Sequence, residues 1–202
     1  MTLLWKTFFL TLSAGSLLFL GWILYYPKPA PQSAGEAVTR MTVLQEDGRY
    51  DEAVATVQSW LQNGERDTSR DGILYQQIAI VYIIESYKRP KVREDAVRQA
   101  ELNLEKSLSL FDQEQSQDIG IDLFGIGGGY EALGDLPVAE KCKFYAKAQQ
   151  LYERQLPLIQ GDTYTANGET FPLEPYRADV RKHLAAAREK FSNAGCPANL
   201  VK

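Results

Sequence analysis

Gly48-Arg49-Tyr50-Asp51-Glu52-Ala53-Val54 is the stretch that decides the fold. It reads as a tight turn between two helices. Gly48 supplies the backbone freedom to leave the first helix. Asp51 and Glu52 stand where the second begins, against its positive end. Ala53 is small enough to let the two helices pack closely. From there Ala53, Val54, Val57, Trp60 and Leu61 fall on one helical face. The phrase returns as Gly134-Asp135-Leu136-Pro137-Val138-Ala139, in the same order and spacing. That places Ala139, like Ala53, at a helix–helix contact. A turn phrase that recurs within one chain marks a helical repeat array.

Toward the amino terminus the character of the chain changes. Residues 8–26, FFLTLSAGSLLFLGWILYY, contain no charged side chain. As a helix they span about 28 Å, close to the ~30 Å of a hydrocarbon core. Trp5 precedes the run, and Trp22, Tyr25 and Tyr26 close it as an aromatic belt would. The rival reading is a cleaved signal peptide, but the apolar run continues into bulky residues and the later small ones sit among prolines. Residues 1–27 are therefore read as an uncleaved single-pass anchor. Lys6 before the span leans the bulk of the chain toward the extracytoplasmic side, although Lys28 and Arg40 follow it. Residues 28–35, with Pro29 and Pro31, form a proline-rich linker of extended geometry.

Toward the carboxyl terminus the helices continue in pairs, at 35–47 and 51–62, then 71–86 and 93–111, then 116–133 and 137–155. The third is apolar over most of its circumference, with Leu74, Ile78, Val81 and Tyr82 on one face and Ala79, Ile80, Ile83 and Ile84 beside them, so it is expected to be central. The fourth turns Ala100, Leu104, Ser107, Leu108 and Phe111 inward. Thr163 to Phe171, around Asn167-Gly168, reads as a small hairpin or as an ordered loop within a 156–175 segment. A last helix over 176–194 carries Tyr176, Val180, Leu184, Ala187 and Phe191 on one stripe and caps the stack. Gly195 ends it, and 195–202 reads as a loose tail.

The paired helices resemble the tetratricopeptide repeat family. Leu123, Ile126, Gly127, Tyr130, Gly134, Ala139 and Ala146 match its pattern by type and spacing. Tyr75, Ile78, Ala79 and Tyr82 fill the first half of the preceding unit, and residues 100–108 its second half. Ala53, Ala100 and Ala139 lie 47 and 39 residues apart, against the ~34 of a regular array. The array over residues 36–155 is thus irregular, with the excess in loops and in an insertion over 88–95. The resemblance implies an all-α, right-handed α-solenoid with about three repeats. It also implies a concave surface lined by the first helix of each pair. Its positions project onto Val38, Thr42 and Gln45; Gln76, Ile80 and Ile83; and Phe124, Gly128 and Glu131. This surface is largely apolar and suits an apolar peptide or helix of a partner protein.

Composition narrows the alternatives. The chain has 202 residues, 22 Lys and Arg against 26 Asp and Glu, and a net charge of −4, which argues against a nucleic-acid surface. Gly125-Ile126-Gly127-Gly128-Gly129-Tyr130 lacks the third glycine of a dinucleotide loop and the Gly-Lys-Ser/Thr of a phosphate loop. Close helix packing explains it better; a ligand-lined groove is the alternative. Lys88, Arg89, Lys91, Arg93 and Arg98 form a basic cluster, read as a solvated loop or, more sharply, as an anion or lipid-headgroup site. His183, the only histidine, has no partner evident from sequence and reads as a boundary residue. Cys142 reads as a small core residue and Cys196 as a tail residue; a bond between them is the lesser reading, and zinc is not suggested. No catalytic constellation, cofactor or metal site emerges, so the expectation is a scaffold and not an enzyme. A small-molecule or enzymatic domain using Gly125–Gly129, and a structural subunit of a membrane assembly, are the alternatives.

Overall fold

A computed structural model describes residues 31–65, 67–113, 119–166 and 169–201, with backbone alone at 119–122, 166 and 169. The expected membrane span lies outside these residues. Among the described residues no helix is long and apolar enough to cross a membrane.

Pro31–Lys202 is one unit, and it is helical apart from one hairpin. Helix α1 (Ala34–Glu46) starts at Ser33, whose hydroxyl accepts the Glu36 N–H at 3.1 Å. The Glu36 carboxylate in turn accepts the Gln32 N–H at 2.7 Å, a reciprocal cap that occupies free donors of the first turn. The helix stops at Gly48, whose φ is 73°. Arg49 N–H then donates to Leu44 O at 2.8 Å and Gly48 N–H to Gln45 O at 3.0 Å. These two bonds define a Schellman stop, which needs the left-handed residue that glycine provides. Helix α2 (Tyr50–Asn63) follows with Tyr50, Ala53, Val54, Val57 and Leu61 buried.

Helix α3 (Thr68–Lys88) begins three residues before the expected start, because the Asp67 carboxylate accepts the Arg70 N–H at 2.8 Å and caps the helix there. A single 3-10 turn over Pro90–Val92 leads into α4 (Arg93–Phe111). Then come α5 (Ile119–Gly134) and α6 (Lys141–Gln155). Strands β1 (Thr163–Ala166) and β2 (Glu169–Pro172) pair antiparallel, with Tyr164 opposite Phe171 and Thr165 opposite Thr170. The hairpin reading holds, and Tyr164 lies against the main core. Helix α7 (Leu173–Asn193) closes the order, ahead of a final 3-10 turn over Ala198–Val201.

The helices pack mainly as pairs, α1 on α2, α3 on α4 and α5 on α6, and α7 lies on α6. Each second helix also meets the first helix of the next pair. The first helices meet in succession, α1 with α3, α3 with α5, and α5 with α7. One core, with Met41, Tyr50, Ala53, Val57 and Ile78, lies among α1, α2 and α3. A larger one runs through α3 to α7 and includes Leu104, Phe111, Ile126, Tyr130, Phe144, Tyr152 and Val180. Helix α3 contributes to both, which accounts for its nearly continuous apolar circumference.

Three expectations are corrected. The sixth helix starts at Lys141, not near 137, and Ala139 is exposed in the preceding turn. Pro137 lacks an N–H, Val138 N–H bonds back to Leu136 O at 2.8 Å, and Leu136 is drawn into the core in place of the alanine. Cys142 is bonded to Cys196, with an S–S distance of 2.00 Å and Cα atoms 5.4 Å apart. The tail is therefore tied down: Cys196 and Val201 pack with Ala194 on Tyr145, Ala146 and Phe191. The basic cluster over 88–98 is solvated, as the sequence suggests, with Lys88, Arg89, Lys91 and Arg98 exposed. Arg89 donates to Gly48 O at 2.6 Å and lies 4.7 Å over the Tyr50 ring; Arg93 donates to Ser86 O; Arg98 pairs with Asp95.

Candidate functional site

The projected groove residues divide by burial. Thr42 is exposed on α1, where its hydroxyl donates to Val38 O at 3.0 Å; Val38 and Gln45 are half-buried. On α3, Gln76 and Ile83 are buried, and Ile80 is half-buried and outside both cores. On α5, Phe124 and Gly128 are half-buried and Glu131 is 7% exposed. The open part of the surface is thus carried by Val38, Thr42, Gln45, Ile80, Phe124 and Gly128.

The glycine run explains how α5 comes so close to its neighbours. A methyl group at Gly125 would strike the Gln76 amide of α3, one at Gly127 the Tyr152 ring of α6, and one at Gly129 the Leu104 side chain of α4, all under 3.0 Å. These notches hold side chains of this chain, which is helix packing of the tightest kind. Gly128 differs: the nearest atom to its would-be methyl group is the Tyr152 hydroxyl at 3.9 Å.

At the α5 end of the surface stands a cluster that the sequence reading did not assemble. The Phe124 ring meets Tyr152 at 5.9 Å, Tyr176 edge-on at 5.6 Å and His183 edge-on at 5.1 Å between centroids. Beneath them Glu131 accepts from the Tyr152 hydroxyl at 3.1 Å and from His183 Nδ1 at 3.0 Å on one oxygen, and from Lys190 Nζ at 2.8 Å on the other. Lys190 also donates to Asp135 at 2.7 Å, and Asp135 accepts from the Tyr145 hydroxyl at 2.9 Å. Burial alone would raise the Glu131 carboxyl, but the bonds from Lys190 and His183 outweigh it and hold the group below the usual carboxylate range. A carboxylate can only accept, so Nδ1 of His183 carries the proton and Nε2 of a neutral ring is left as an acceptor. Burial and the neighbouring Glu131 push the Tyr152 hydroxyl up, and burial with the Asp135 bond raises Tyr145 to about 12.

This network joins α5, α6 and α7. Its arrangement supports a partly apolar surface with one exposed imidazole edge. The sequence shows no partner for His183 because Glu131 lies 52 positions away. The available signal was the seven-residue spacing of Tyr176, His183 and Lys190, one stripe beside the apolar face of α7. Among the described residues no group of His, Cys, Asp and Glu could hold a metal ion.

Compared with family models, curated proteins and solved structures, the chain matches none.

Proposed function

We propose that the chain is a membrane-anchored scaffold of the tetratricopeptide kind, whose α1–α3–α5 face receives an apolar segment of a partner protein. The observation that carries this reading is the order of neighbours. The first helix of each pair touches the first helix of the next, as in a stacked solenoid whose first helices line one surface. On that surface Ile80 and Phe124 present apolar area, and Thr42 and the His183 edge flank it with polar groups. Residues 8–26 supply the anchor. The Cys142–Cys196 bond supports an oxidising compartment for the helical unit, in line with an extracytoplasmic orientation. The partner segment is a peptide or amphipathic helix that buries its apolar side on Ile80 and Phe124.

Site-specific photo-crosslinking in native membranes tests the reading. A photoreactive residue at Thr42 or Ile80 is expected to give one and the same adduct, lost when Phe124→Glu is added. A control at Leu102, exposed on α4, is expected to give none. Equal adducts from Leu102, or none from Thr42 and Ile80, would place the working surface elsewhere.

A further inference from the structure

The tail past α7 is held by little besides one covalent bond. Helix α7 is closed before the tail begins: Cys196 N–H donates to Phe191 O at 3.2 Å and Gly195 N–H to Ser192 O at 2.9 Å, with Gly195 at φ 66°. That stop is complete without any later residue. Pro197, Ala198, Asn199 and Leu200 are exposed, and Val201 is half-buried. Among the described residues beyond Cys196 none hydrogen-bonds to the helices; Leu200 N–H turns back to Pro197 O at 3.1 Å. The tail covers a small apolar patch of its own, Tyr145, Ala146 and Phe191, separate from the two main cores. One half-buried valine does not offset the entropy of fixing residues 196–201. The Cys142–Cys196 bond therefore decides whether the patch is covered.

The two sulfurs sit at opposite kinds of helix end. Cys142 is the second residue of α6. Phe144 N–H donates to Glu140 O at 3.2 Å, and the cap residue Glu140 offers the earlier N–H groups no side-chain bond. The neighbouring side-chain charges nearly cancel: Lys141 stands beside Glu140, and Lys143 pairs with Glu101. The positive end of α6 and its open N–H groups thus favour a thiolate on Cys142. Cys196 lies just past the negative end of α7, which disfavours one. In thiol–disulfide exchange the sulfur that better carries negative charge leaves faster.

We propose that Cys142–Cys196 is a redox latch, opened by a dithiol. A thiolate of the dithiol attacks Sγ of Cys196 and bonds to it. The Sγ–Sγ bond breaks, and its electron pair leaves on Sγ of Cys142. The second thiolate then attacks the first sulfur of the same dithiol and expels Cys196, which takes a proton from water. The dithiol ends as a disulfide, and the two cysteines gain two electrons. The tail swings free at Gly195 and uncovers Tyr145, Ala146 and Phe191, while both main cores, which contain neither cysteine, stay packed. The reverse exchange, with the oxidised dithiol, closes the latch.

Two measurements on the full chain test this. In the first, valine methyl groups are labelled with carbon-13, and Val201 is assigned by its loss in Val201→Ala. After reduction with dithiothreitol, the Val201 signals are expected at free-chain positions. Those of Val57 and Val180, fully buried in the two cores, are expected to stay where they were. Val201 signals that do not move once both thiols are free overturn the proposal, because the bond then gates nothing. Simultaneous collapse of all three overturns it too, because the bond is then a staple of the whole fold. In the second, the native chain meets limiting glutathione and is quenched in acid, and the mixed disulfides are mapped by peptide mass. Glutathione is expected on Cys196 at about ten times the amount on Cys142. An even split, or an excess on Cys142, overturns the assignment of Cys142 as the leaving sulfur.

Discussion

Glu131 shows how much one side chain can hold. Three donors from two other helices converge on a carboxylate that is nearly out of solvent. Removing its charge leaves Lys190 with Asp135 but turns the charged acceptor of His183 and Tyr152 into a neutral one, at a cost of about 1–3 kcal/mol. The sign with pH follows from the lowered carboxyl. A group held below its unfolded value of 4.5 adds stability above that pH and loses it as pH falls through the folded value. Glu131→Gln is therefore expected to be less stable than the native chain at neutral pH and to show a flatter acid limb. Denaturant midpoints measured against pH would check this; parallel acid limbs would mean that Glu131 does not hold its charge in the fold. None of this was legible in the sequence, because burial and hydrogen bonds between residues 52 and 59 positions apart leave no local trace.

At the scale of the helix, two identical-looking phrases separate by their physics. Gly48 makes a left-handed stop, and Ala53 behind it is fully buried. Gly134 is instead the last residue of α5, pressed against the Tyr145 ring, and its turn is reset by Pro137. The periodic apolar faces of α2, α3 and α4 were readable because each repeats over several turns. The start of α6 was not, because a missing N–H competes with a pattern of side-chain sizes. The glycines of α5 give a sharper expectation. Gly127→Ala should cost about 1–3 kcal/mol, since the new methyl group meets the Tyr152 ring at 2.7 Å. Gly128→Ala should add up to about 1 kcal/mol, since it gains helix propensity and meets only the Tyr152 hydroxyl, at an ordinary 3.9 Å. Thermal unfolding of the two variants should move in opposite directions; a shift of the same sign would put the α5–α6 contact in a different register.

Over the whole molecule, the mostly helical character and the pairing were legible, while the bond that closes the chain was not. Two cysteines 54 residues apart, one on a helix and one in a tail, carry no distance information until α6 and α7 lie side by side. In the chain-entropy account a loop of that length adds about 4 kcal/mol of stability. Cys196→Ser in the full chain is expected to lower the melting temperature as much as a reductant lowers that of the native chain, and to be insensitive to the reductant itself. A melting temperature that ignores both changes would show that the tail contributes nothing.

The notches of α5 also set an order of events at the ribosome. Their fillers come from both sides in sequence: Gln76 and Leu104 before α5, Tyr145 and Tyr152 after it. With ~1 kcal/mol lost per glycine, the segment cannot persist as a helix until all four are present. It must wait while about 20 further residues are made, a second or more at ~5–20 residues per second. The α1–α4 portion should by then be folded. A nascent chain stalled with residues up to 140 exposed should be cut by protease within 119–134 and spared within 34–111. Protection of both segments at that length would mean that α5 needs no later residue to form.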